Sequence, residues 1–141
     1  MKLIVTGATG FVASEVLRLA VKMSEITSIV AVARRPVKLT GPGADKVRSV
    51  IVEDYGTYSD AVRADFAGAN ACIWTVAVLP HHAWSMDASE VRRVCETAVA
   101  GLTAMNDSKP ARPFRFLYMS GTLGAREVKE TPLLMGAYIM G

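Results

Sequence analysis

Gly7 and Gly10 stand between a short apolar run, residues 3–6, and a stretch of helical periodicity. A glycine directly after a strand permits a sharp turn, and the second leaves room for a bulky anion beside the helix that follows. The free N–H groups and dipole of such a helix terminus favour negative charge. The segment Thr6-Gly7-Ala8-Thr9-Gly10-Phe11-Val12-Ala13 therefore reads as a cradle for a pyrophosphate, contacted by Gly7, Thr9, Gly10, Phe11 and Val12. Arg34 and Arg35 close a second β-rich run with no acidic neighbour, and their planar guanidinium groups suit bidentate binding of a phosphate. The adjacent pair His81-His82 could supply acid/base chemistry near neutral pH. Adjacent histidines without a third ligand do not suit a metal, so no metal site is expected. Trp74 and Trp84 are expected to wall an apolar pocket or to fill the core.

Five β-rich runs alternate with helical segments and position these groups. The runs cover residues 3–6, 28–33, 47–52, 71–78 and 114–119. Val12, Val16, Leu19, Ala20 and Met23 recur at helical spacing after the first run and predict a buried stripe. A short helix is expected near residues 58–66. A longer one follows Asp87 and Glu90, a capping-box pattern, with Val91, Val94, Cys95, Ala98, Val99, Leu102 and Met105 as its buried stripe and Pro110 beyond its end. Near-continuous apolar strands joined by helices imply a parallel sheet covered on both faces. With right-handed crossovers this becomes a doubly wound α/β domain of strand order 3-2-1-4-5.

At 141 residues, 51% hydrophobic and 21% charged, the chain has the composition of a single globular domain, residues 1–141. The net charge of +3 is too mild to point to nucleic acid. No apolar run approaches the roughly 20 residues of a membrane span. Cys72 and Cys95 lack metal-ligand spacing and are expected as reduced thiols in a cytoplasmic protein.

TGATGFVA resembles the TGxxGxxG turn of extended and atypical short-chain dehydrogenases, including their NmrA-like and isoflavone-reductase-like branches. The resemblance runs from Met1 to about Gly124, with Ala13 in place of the third glycine. It implies a Rossmann fold and a nicotinamide dinucleotide. Arg34, the first residue past the second run, then favours NADP(H), with Arg35 beside it. Asp54 matches the acidic residue that meets the adenine amino group, with Glu53 next to it, and Thr75 and Val76 border the ribose and the path to the nicotinamide. Ser120 matches the family's serine, and Tyr138 is its natural tyrosine. The family's lysine would stand four residues after Tyr138, past Gly141, so the expectation is a domain truncated after the fifth strand, either a short relative or part of a longer protein.

Three functions follow as expectations. One is an NADP-dependent oxidoreductase acting on a small carbonyl or alcohol, with Ser120 and Tyr138 around the substrate oxygen. The second is a non-redox isomerase or cyclase of natural-product type, using His81, His82, Trp84 and Tyr138. The third is an NmrA-like regulator that senses the dinucleotide without turnover. The fifth run, with Phe114, Phe116, Leu117 and Tyr118, would leave an apolar sheet edge, and a homodimer is the expected remedy.

Overall fold

The computed structural model describes residues 1–78 and 86–119. Strand β1 (Lys2–Thr6) leads into helix α1 (Phe11–Ala20) and strand β2 (Ser28–Ala33). A single 3₁₀ turn, Ala44–Lys46, precedes β3 (Val47–Ile51), and α2 (Asp60–Phe66), β4 (Ala71–Trp74), α3 (Ala88–Asp107) and β5 (Arg115–Tyr118) complete the described chain. The sheet is parallel throughout and runs β3-β2-β1-β4-β5, the doubly wound order. Its reversal point lies between β1 and β4, where crossovers leave in opposite directions and open a crevice at the strands' carboxyl ends.

Alternate residues of each central strand feed one of two cores. Leu3, Val5, Ile29, Ala31 and Ala33 join Ala13, Leu17 and Ala20 of α1 on one face. Ile4, Val30, Val32, Cys72 and Trp74 join Phe66 of α2 and Ala98 and Met105 of α3 on the other. Burial on both faces is why these strands read as unbroken apolar runs. Where a helix would usually link β2 to β3, Val37 and Leu39 pack on the α1 side instead. Lys46 there donates to the carbonyls of Val21 and Met23, each at 3.0 Å, and so satisfies acceptors past the C-terminus of α1.

Three expectations need correction. In α1 the buried residues are Ala13, Leu17 and Ala20, while Val12, Leu19 and Met23 are exposed. The buried residues recur at spacings of four and three, so the sheet-facing stripe lies one position on from Val12, Val16 and Leu19. In α3, Val99 is 68% exposed, and Thr97, Gly101 and Ala104 are buried instead. Strand β4 ends at Trp74 because its partner β1 ends at Thr6, leaving residues 75–78 without a strand to pair with. At the start of α3 Asp87 does cap, accepting from Ser89 N–H at 3.5 Å and from the Ser89 hydroxyl at 2.8 Å.

Among the described residues β5 is a sheet edge, and Leu117, Tyr118 and Met119 on or just after it are exposed. No helix of the described residues is long and apolar enough to cross a membrane.

Trp74 is fully buried, with Tyr55 edge-on at 6.0 Å and Phe116 tilted at 5.9 Å. Its ring lies so close to α3 that a Cβ on Gly101 would overlap it. Alanine at a helix interior is favoured over glycine by about 1 kcal/mol, whereas overpacking a filled core costs about 1–3 kcal/mol. Because Trp74 is held between two aromatic neighbours, the overlap should win. Gly101→Ala is expected to lower the urea unfolding midpoint, and an unchanged or higher midpoint would show that the ring yields freely.

Candidate functional site

The turn after β1 is held from three sides. Ala8 N–H donates to the Val32 carbonyl at 3.0 Å, tying the turn to β2. Gly10 N–H donates to the Gly7 carbonyl at 2.7 Å and closes it. From β4's end, the Thr75 hydroxyl donates to the Thr6 carbonyl at 2.7 Å, and Thr75 N–H donates to the Thr6 hydroxyl at 3.3 Å. Gly7 has φ +67°, and a Cβ there would fall 2.7 Å from Thr75 Oγ1. Backbone conformation and space thus both require glycine at this position. Ala13, where the resembled motif has its third glycine, is fully buried in the core beneath α1.

Gly10 is the N-cap residue of α1, in extended conformation. No side chain caps the terminus, and no acidic residue stands in its first turn. The helix therefore presents its first N–H groups and positive dipole end outward at Phe11 and Val12, both exposed, Phe11 by 95%.

Beside this turn a crevice of about 550 Å³ opens at the carboxyl ends of β2, β3 and β4. Arg34, Glu53, Asp54 and Tyr55 line one side. Val76, Ala77 and Val78 form an apolar wall, and Arg93, Val94 and Thr97 contribute from α3. Arg34 has no ion-pair partner among the described residues. Asp54 does: Oδ2 lies 3.1 Å from Arg93 Nη1, and Oδ1 accepts Gly56 N–H at 2.8 Å. The Tyr55 hydroxyl reaches the Val32 carbonyl at 3.5 Å. Burial raises the pKa of that hydroxyl above its ordinary value, while the Gly7 N–H and the Arg34 charge pull it down.

The structure thus brings Arg34, Asp54 and Val76 into one crevice and sets the Gly7–Gly10 turn beside it. Arg35 is exposed next to Arg34 but does not line the crevice. Thr75 faces the turn, its hydroxyl engaged with Thr6. Val12 is partly exposed on the first turn of α1. Ser120, Tyr138, His81, His82 and Trp84 lie outside the described residues. Among the described residues no group of three metal-ligating side chains gathers.

Tyr55 and Arg93 escaped the sequence reading. Tyr55 directly follows Asp54 and was open to notice on that ground. Arg93 sits on a helix face that reads as ordinary solvated charge.

No family model matches the chain. Leucinostatins biosynthesis cluster protein T of Purpureocillium lilacinum is 41% identical over 75 residues, which are 53% of this chain and 27% of that protein. Among solved structures, the oxidoreductase ylbE from Lactococcus lactis is similar with a TM-score of 0.69 at 18% identity, over 99% of this chain and 58% of that one. MoeE5 in complex with UDP-glucose and NAD has a TM-score of 0.69 at 20% identity, over 99% of this chain and 45% of its own. The chain therefore spans about a quarter of the curated relative and about half of these structures. The likeness establishes the fold.

The Thr75 contacts predict a graded response. Thr75→Val removes the donor to a buried carbonyl and should cost about 1–2 kcal/mol, whereas Thr75→Ser should cost less than about 1. Gly7→Ala combines left-handed strain with overlap and should cost about 1–3 kcal/mol. Chemical denaturation measures all three, and a Thr75→Val protein as stable as the original would mean the two strand ends are not held this way.

Proposed function

We propose that the protein binds NADP(H) across the carboxyl edge of its sheet and is an oxidoreductase of the short-chain dehydrogenase type, acting on a small carbonyl or alcohol. The observation that carries this reading is the uncapped terminus of α1 at the Gly7–Gly10 turn, beside a crevice that Arg34 faces without an ion-pair partner among the described residues. The residues fit the group. N–H groups at Phe11 and Val12 would take the pyrophosphate, with Gly7, Thr9 and Gly10 shaping the turn around it. Arg34, helped by Arg35, would take the 2′-phosphate, Asp54 the adenine edge, and Val76, next to Thr75, the ribose side. The NAD held by MoeE5 on the same fold supports a nicotinamide dinucleotide. When bound, the cofactor supplies or accepts the hydride. This chain's residues orient it, and Ser120 and Tyr138 are proposed around the substrate oxygen, with His81 and His82 on the loop after β4.

The biosynthetic-cluster relative supports a biosynthetic intermediate as the substrate. The second reading is a non-redox isomerase or cyclase of natural-product type on this scaffold, and the third an NmrA-like regulator in which bound dinucleotide is not consumed. Self-association along β5 is proposed on the exposure of Leu117 and Met119.

Calorimetric titration with NADPH and NADH tests the cofactor. NADPH should bind more tightly, and Arg34→Ala should weaken it roughly ten- to a hundredfold, the worth of one or two charge-assisted hydrogen bonds, with little change for NADH. Binding of neither nucleotide would contradict the proposal. NADPH bound but never oxidised across a panel of carbonyl substrates would favour the regulator, and binding of neither nucleotide leaves the cofactor-free isomerase or cyclase.

A further inference from the structure

An open groove of about 570 Å³ runs along the outer surface of α3, with Ala100 and Ala104 on one side and Arg63 of α2 on the other. Val99, which also lines it, is 68% exposed. The Thr103 hydroxyl donates to the Val99 carbonyl at 3.0 Å, so its polar group is satisfied within the helix. Glu96, Ala100, Thr103 and Asp107 recur at spacings of four, three and four and form one ridge of α3. The charges of this surface stand at opposite ends. Glu96 lies toward the amino-terminal end and has no ion-pair partner among the described residues. Arg63 lies toward the other end, its Nη1 3.6 Å from Asp107, which is eleven residues and roughly 16 Å along the helix from Glu96. That pair is long, and its side chains are 40% and 62% exposed, so it contributes little in water.

Unlike charges at opposite ends of one groove are too far apart to pair within a chain, but a second copy laid across it in reverse pairs both. We propose that the outer ridge of α3 and the groove beside it form the self-complementary interface of a homodimer, with Glu96 of each copy paired to the partner's Arg63. In this arrangement the two α3 helices run antiparallel, and the two-fold passes at Ala100. Glu96 then lies four residues to one side of the two-fold, and Ala104, beside Arg63, lies four residues to the other. The ion pair therefore forms twice, as an isologous contact requires. A parallel arrangement would set like charge against like. Val99 stands one residue from the two-fold, so each copy covers the other's exposed side chain. The small residues Ala100 and Ala104 let the second helix approach closely. This face is separate from the β5 edge, closes after two copies, and does not depend on which nucleotide the crevice binds.

Sedimentation velocity of the full chain over a dilution series tests this. The unaltered protein should sediment as a dimer that dissociates on dilution. Glu96→Arg and Arg63→Glu each set like charges together twice and should weaken association by roughly tenfold or more. The double variant, Glu96→Arg with Arg63→Glu, restores both pairs with their signs exchanged and should return to within about threefold of the unaltered protein. Damage to the fold would not be repaired by a second charge reversal, so this rescue separates contact from misfolding. Val99→Asp should leave a monomer, while Leu117→Lys on β5 should leave this dimer unchanged. The proposal is overturned if the unaltered chain is monomeric throughout, or if the double variant associates no better than the single ones. It is overturned equally if Leu117→Lys abolishes the dimer while Glu96→Arg leaves it intact.

Discussion

The Thr6–Thr75 contact joins the ends of β1 and β4 at the place where the sheet reverses its winding. Two hydrogen bonds hold the strand ends together, and the Thr75 side chain then fills the space over residue 7. That space excludes a side chain on Gly7, whose positive φ turns the chain out of the strand and into α1. Gly10 consequently becomes the N-cap of α1, and the first N–H groups of the helix emerge at the sheet's carboxyl edge. The crevice borders this turn because β2, β3 and β4 all end at the same edge, each in parallel register with its neighbour.

Charge around the crevice is arranged unevenly. Asp54 is neutralised in place by Arg93, and Arg34 faces the opening without a carboxylate partner among the described residues. An anionic group entering here meets an uncommitted guanidinium and a helix terminus, both of which favour it. A guanidinium that needs no internal partner to be stable in water costs the fold nothing while it waits for one. Selectivity in such a site comes from which charges are already committed as much as from which are present.

Much of this architecture was legible in the sequence. Strands buried on both faces must be continuously apolar, so residues 3–6 and 28–33 announce a parallel sheet, and a glycine directly after the first strand announces the turn. Periodicity was weaker at deciding which face of a helix is buried. In α1 the large residues Val12, Leu19 and Met23 form a plausible stripe, but the residues that face the sheet are Ala13, Leu17 and Ala20. Gly101 carried no sequence signal because the need for it arises from Trp74, 27 positions away in sequence and adjacent only after folding. Arg93 was silent for a similar reason: an arginine beside another on a helix reads as solvated until Asp54 is brought opposite it. Pairwise needs between distant segments are what a linear reading loses, while needs set by local backbone shape survive in it.

The central claim is that the Gly7–Gly10 turn and the crevice beside it form one dinucleotide site. The most direct measurement is a two-dimensional amide NMR titration of the full chain with NADPH, which follows each backbone N–H separately. The account predicts saturable shifts at Gly10, Phe11 and Val12 together with Arg34 and Tyr55, while amides on the outer face of α3 around Thr103 stay still. Shifts confined to other surfaces, or none at the glycine turn at saturating NADPH, would contradict it.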